Sequence, residues 1–278
     1  MELEYVITSV YVRIEEIYKE ITRDKPLRRG GFAPALSDVE VLTMEIVGEM
    51  EGRNGDRAIW RYFDAHWRDW FPKLSAYKTF AKHCANLAWI KEPLMQQLFR
   101  SADDPFQIID GVPLPLAHNA RVCRSRMMKE HGAWGFCAAK DEHYYGLKGH
   151  LLINGSGRVT AMAVTPANID ERAVLPDFIG KIQGILIGDK GYIGRDLQTD
   201  LAAHGINLQT PLRDNMPDPR PKSERHALNR LRKPVETALS VLIDCFHLTK
   251  IKARDIWHYT NKLLRKLIAY NFSIALKS

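Results

Sequence analysis

A mixed α/β sheet preceded by an all-helical segment is the fold this sequence predicts, on two observations. Residues 1 to about 100 place apolar side chains at three- and four-residue steps and contain no strand-like stretch. From Phe106 onward, short apolar runs bounded by turn residues come first, and helical stretches then alternate with further runs, giving five strands flanked by helices. The expected division is a helical domain over 1–104 and a sheet domain over 105–278.

Within the first segment, Leu3, Val6, Ile7, Val10, Ile14, Ile17 and Ile21 form one apolar stripe. Ser37 and Glu40 make a capping box that starts a second helix. Asp56 and Ser75 are positioned to cap two more, the former heading a Trp-rich stretch with Trp60, Trp67 and Trp70 that is expected to be core. Short helices joined by tight turns are compatible with a helix-turn-helix.

The second segment opens with a strand over Phe106–Asp110. YYGLKGHLLI and RVTAMAV follow as two strands joined by the turn Asn154-Gly155-Ser156-Gly157. Helical DERAVLPDFI leads to the strand GILIGD, the helix RDLQTDLAAHG stops at Gly205, and INLQTP is the fifth strand. A long helix is expected from Ser223 to Leu248, carrying Arg232 and Glu236 on one face. A last helix, Trp257 to Leu276, has an apolar side expected to pack on the sheet.

Composition narrows the function classes. Lys and Arg total 40 against 33 Asp and Glu, a net charge of +7 that favours a polyanionic partner. The cysteines, Cys84, Cys123, Cys137 and Cys245, form no CxxC pair, so zinc ribbons and disulfide frameworks are disfavoured and reduced thiols in a cytoplasmic protein are expected. No apolar run approaches the roughly 20 residues a membrane helix needs, and no membrane role is expected.

Three acids stand in distinct settings: Asp110 in QIIDGVPLPL, Asp189 in GILIGDKGYIG, and Glu236 in LRKPVETALS. Each aspartate ends an apolar run, at what reads as the mouth of a buried strand, where a bare charge is costly. Carboxylates that converge repel one another, and divalent cations relieve that repulsion. Oxygen-only ligands favour Mg²⁺ or Mn²⁺, and two such ions suit phosphoryl transfer. Taken singly, these acids also fit strand-end caps and a helical salt bridge from Glu236 to Arg232.

The wording around these acids is more specific. QIIDGVPLPL, YYGLKGHLL, TPANIDERAVLP, GDKGYIG, INLQTPLRDNM and RKPVE, in that order from about residue 106 onward, resemble the DDE transposases of bacterial insertion sequences, and the insertion sequence nine-eighty-two family most. The resemblance implies an RNase H-like catalytic domain with Asp110, Asp189 and Glu236 as catalytic metal ligands. It further implies two Mg²⁺ or Mn²⁺ ions and contact of Arg232 with transposon-end DNA. The implied reaction is metal-dependent cleavage at the terminal inverted repeats, followed by transfer of the 3′ end to target DNA by a homodimer or larger assembly. Where related transposases carry Tyr and Lys, this chain has Asn229 and Ile243. A DNA-binding regulator without catalysis and a nuclease that cuts without joining remain as alternatives. Lys148 and His150 alternate on one strand face and are read, with Lys190, as phosphate contacts.

Overall fold

The structure is a computed structural model that describes residues 2–24, 30, 33–98, 104–124, 130–137, 141–213 and 215–277. In chain order the helices are α1 (Leu3–Thr22), α2 (Asp38–Met50), α3 (Asp56–His66), α4 (Tyr77–Asn86), α5 (Ala88–Leu98), α6 (Arg195–Ala203), α7 (Lys222–Asp244) and α8 (Ile256–Ala275). The strands are β1 (Phe106–Ala117), β2 (Ala133–Cys137), β3 (Glu142–Asn154), β4 (Val159–Pro166), β5 (Gly184–Ile187) and β6 (Ile206–Gln209). Two compact units result: Met1–Arg100 with Leu242–Ser278, and Ser101–Val241.

In the helical unit, α1 buries Val6, Ile7, Val10, Ile14 and Ile17, the stripe its periodicity announced. The capping box is complete: Ser37 Oγ accepts from Glu40 N at 3.1 Å, and Glu40 Oε2 accepts from Ser37 N at 2.6 Å. Two expected caps are not made. Gly55 and Ala76 occupy the cap positions of α3 and α4, and neither provides a side-chain cap. Trp70, expected in the core, is 44% exposed.

α8 departs from its expected place, because it packs on α2 and α5 in the helical unit. The cause is electrostatic as well as apolar. Lys91 of α5 donates to Glu45 of α2 at 2.9 Å and to Asn261 Oδ1 of α8 at 2.5 Å. Arg265 Nε donates to Glu49 Oε1 at 2.8 Å, and its Nη1 reaches Glu45 Oε1 at 3.1 Å and Asp56 Oδ1 at 2.7 Å. Lys266 Nζ donates to Glu49 Oε2 at 2.7 Å. Glu45, Glu49, Lys91, Arg265 and Lys266 are all buried, so each charge needs the others. The helical unit is therefore assembled from both ends of the described chain.

In the sheet unit the strand order is β2-β3-β1-β5-β6, with β4 also paired to β3. β3 runs antiparallel to β1, β2 and β4, while β5 is parallel to β1 and β6 to β5. The predicted hairpin turn is present: Gly157 N donates to Asn154 O at 2.9 Å, and Gly157 takes φ +83°, which glycine adopts freely. DERAVLPDFI forms a 3₁₀ segment, Glu171–Lys181, capped by Asp170. β2 is a sixth strand that the sequence reading did not contain.

β1 also outruns its expected end at Asp110, continuing through Pro113 and Pro115. β5 pairs only with Phe106 to Ile108, so beyond that point one edge of β1 needs no backbone donor and proline is tolerated. Opposite Pro115 lies Gly146, where a Cβ would overlap the Leu114 carbonyl oxygen and come within 2.9 Å of Pro115 Cα. These are backbone atoms and cannot yield cheaply. Gly146→Ala is expected to cost roughly 1–3 kcal/mol, read as a lower urea midpoint.

Candidate active site

β1 and β5 bring two of the three acids together by register alone. Ile108 pairs with Ile187 across the parallel ladder, so Asp110, within β1, and Asp189, just past the end of β5, each two residues further on, stand at the same level on neighbouring strands. Each fixes one oxygen on a backbone amide. Asp110 Oδ1 accepts from Gly111 N at 2.8 Å, and Asp189 Oδ1 accepts from Gly191 N at 2.8 Å. No other hydrogen bond to either carboxylate occurs among the described residues, which leaves Oδ2 of each for another partner. Burial, and then the charge of Asp189, raise the Asp110 carboxyl from an ordinary 3.8 to about 6.

The GDKGY segment owes its sequence to packing as much as to chemistry. Tyr192 is fully buried among Ile109, Leu186 and Phe178, which anchors the turn carrying Asp189. A Cβ on Gly188 would stand 3.0 Å from the Tyr192 ring, and one on Gly191 would overlap Glu171 Oε2. Glu171 is a third acid here, and the sequence reading missed it as a site residue although it lies in TPANIDER. Its Oε1 also comes within 3.0 Å of the position of a Gly111 Cβ, so its carboxylate lies against the backbones that follow both aspartates. Lys148 Nζ donates to Glu171 Oε1 at 3.2 Å and supplies a local counter-charge.

His150 requires a correction. Expected to contact phosphate beside Lys148, it is 0% exposed, and its Nε2 lies 3.0 Å from Thr165 Oγ1. Burial, and then the Lys148 charge, push its imidazole down to about 4, so it is neutral at physiological pH. It packs the interior of the sheet instead of facing a polyanion. Lys190 is exposed, directly after Asp189.

α7 carries the remaining expected residues. Arg232 is half-buried, its positive charge opposes the rise at Asp110, and its Nε is buried without a hydrogen-bond partner. Glu236, one turn further along, is exposed. Among the described residues no three His, Cys, Asp or Glu side chains are grouped closely enough to hold a metal ion, so Glu236 is not gathered with the two aspartates. The aspartate pair itself fits a hard divalent cation: all its donors are oxygens, Oδ2 of each carries no hydrogen bond, and its mutual repulsion is what a cation would relieve.

Residues 100–256, more than half of the 278-residue chain, match the family model described as the transposase DDE domain. The chain belongs to this family. The match contains the whole sheet unit, and Asp110, Asp189 and Glu236 all fall inside it. No curated protein matches the chain. Among the described residues, no helix is long and apolar enough to cross a membrane.

A cleft of about 590 Å³ opens in the sheet unit, with Lys190 and Arg232 of α7 in its lining. Its remaining Lys and Arg side chains, Arg213, Arg220, Lys222 and Arg225, lie in the connection before α7 and in the first turn of that helix. Sequence reading passed over them because exposed basic residues in a Pro-rich stretch read as ordinary solvated surface.

Proposed function

We propose that this chain is the transposase of a bacterial insertion sequence of the nine-eighty-two type, which binds terminal inverted repeats, cleaves at the element's ends and joins the freed 3′ hydroxyl to target DNA. The observation that carries the reading is the register-matched pair Asp110 and Asp189 inside a transposase DDE domain. An RNase H-like sheet is supported by three antiparallel strands, β1, β3 and β4, followed by two parallel ones, β5 and β6.

In this reading Asp110 and Asp189 hold Mg²⁺ or Mn²⁺, and the motif order assigns Glu236 on α7 as the third ligand, although it is not gathered with the pair in this structure. The bound cations supply Lewis-acid polarisation of the phosphate and lower the pKa of the attacking hydroxyl. Both reactions are in-line displacements at phosphorus, so what this chain adds is positioning and charge. Arg232 and Lys190 meet phosphates flanking the cut, and Lys148, held by Glu171, presents a further cation beside the aspartates. The helical unit reads the repeat, and two ends require a homodimer or larger assembly.

Asp110→Ala tests the assignment. It is expected to abolish Mg²⁺-dependent cleavage of DNA carrying the element's ends, with a loss of at least 10³-fold of the kind that follows removal of a central catalytic group. Binding of the same DNA in a mobility-shift assay should persist, because the variant removes negative charge. Retained cleavage would refute the reading.

A further inference from the structure

The cleft beside the aspartates has the chemistry of a single-stranded nucleic-acid site, and its cationic members lie outside the acid triad. Its walls divide by type. Arg213, Lys222 and Arg225 are exposed, and none forms a salt bridge among the described residues. Among the described residues the one acid in the lining, Asp218, is paired with Arg220, whose Nη2 lies 2.8 Å from its Oδ2. That same guanidinium donates to Thr210 O at 2.9 Å, so the pair braces the wall and Asp218 does not offset the exposed cations.

Two further features point the same way. The amino-terminal end of α7, a 23-residue helix, lines the cleft through Lys222, Arg225 and His226, so the helix dipole adds to the attraction for anions. An apolar surface is also present: Met216 lines the cleft with 38% of its surface exposed, and the buried Leu228 lines it too. An exposed methionine among arginines is wasted on phosphate alone, but it suits the face of a base. The volume, about 590 Å³, falls in the range of roughly 300–1,000 Å³ that encloses ligands of nucleotide scale.

We propose that this cleft binds an unpaired DNA strand adjoining the scissile phosphate, with Arg213 and Arg225 on its phosphates and Met216 against a base. The proposal rests on the transposase reading and specifies the form in which the DNA is held, a strand separated from its complement. Grooves that track one strand combine cationic walls with a surface for base faces, as this one does.

The test is fluorescence anisotropy with labelled oligo(dT)12 and, separately, a labelled 20-base-pair duplex, each titrated at several salt concentrations. The double variant Arg213→Ala/Arg225→Ala should weaken oligo(dT)12 binding at least tenfold and reduce its log–log salt slope by about 1.4, roughly 0.7 per lost single-strand phosphate contact. Met216→Ala should weaken the same probe severalfold without altering the slope. Duplex binding should change less than threefold in all of these variants.

Equal losses for both probes, or no loss for oligo(dT)12, would overturn the proposal. Circular dichroism melts matching the parent protein exclude misfolding, since these side chains are exposed. Asp110→Ala separates the two readings. If it abolishes cleavage while the cleft variants leave oligo(dT)12 unaffected, the cleft proposal alone fails; if it cleaves normally while they lose the strand, the catalytic reading alone fails.

Discussion

Arg265→Ala is expected to destabilise the helical unit by about 3–5 kcal/mol, the usual cost of removing one partner from a buried ion pair. The side chain is 1% exposed and bonds to three carboxylates, Glu45, Glu49 and Asp56. Removing it leaves those three acids facing two buried cations, Lys91 and Lys266, with Lys262 reaching Asp56 only at 3.7 Å. A cavity compounds the loss, because Arg265 is among the largest fully buried side chains. Arg265→Lys should recover part of the loss, since it keeps the charge but not the planar fork that serves several oxygens at once. Hydrogen exchange is the measurement of choice: faster exchange should be confined to α2, α3, α5 and α8, with β1 and β3 unchanged.

Asp110→Asn should produce the opposite sign, a more stable protein that is inactive. The Asp110 carboxyl sits at about 6 when folded, against 3.8 for an ordinary aspartate, so the folded state binds the proton more tightly. Stability from this group is therefore fully present below about pH 4 and falls as pH rises through 6. Near pH 7.5 the ionised carboxylate costs roughly 3 kcal/mol, at 1.36 kcal/mol for each tenfold difference in proton affinity. Asparagine removes that cost, so the variant should exceed the parent in urea midpoint at pH 7.5 and match it near pH 4. Added Mg²⁺ should stabilise the parent at pH 7.5, by about 2.7 kcal/mol at a hundredfold excess over its dissociation constant. The same addition should do little at pH 5 and nothing for Asp110→Asn. A site that is unstable until its ligand arrives is the expected form of a trade between stability and activity.

Local signals were legible in the sequence and distant ones were not. The stripe of α1, the Ser37/Glu40 box and the Asn154–Gly157 turn each depend on residues a few positions apart, and the structure contains all three. Asp110 and Asp189 were visible for the same reason, since each closes its own apolar run, and parallel pairing then aligns them. The place of α8 was not legible, because its apolar side would suit a sheet equally well. The deciding residues, Arg265 and Lys266, pair with Glu49 some 216 and 217 positions away. His150 read as exposed because alternation gives the face of a strand but not what covers it. Glu171 was overlooked for a related reason: its proximity to both aspartates comes from the fold around Gly111 and Gly191, whose missing side chains make room for it.

The most direct test of catalytic chemistry at the aspartate pair is to locate the metal itself. Crystals of the protein soaked in Mn²⁺ at pH 7.5 should give an anomalous difference peak within coordination distance of Oδ2 of both Asp110 and Asp189, and that peak should vanish in Asp110→Asn. Manganese bound elsewhere, with neither aspartate as a ligand, would contradict the account.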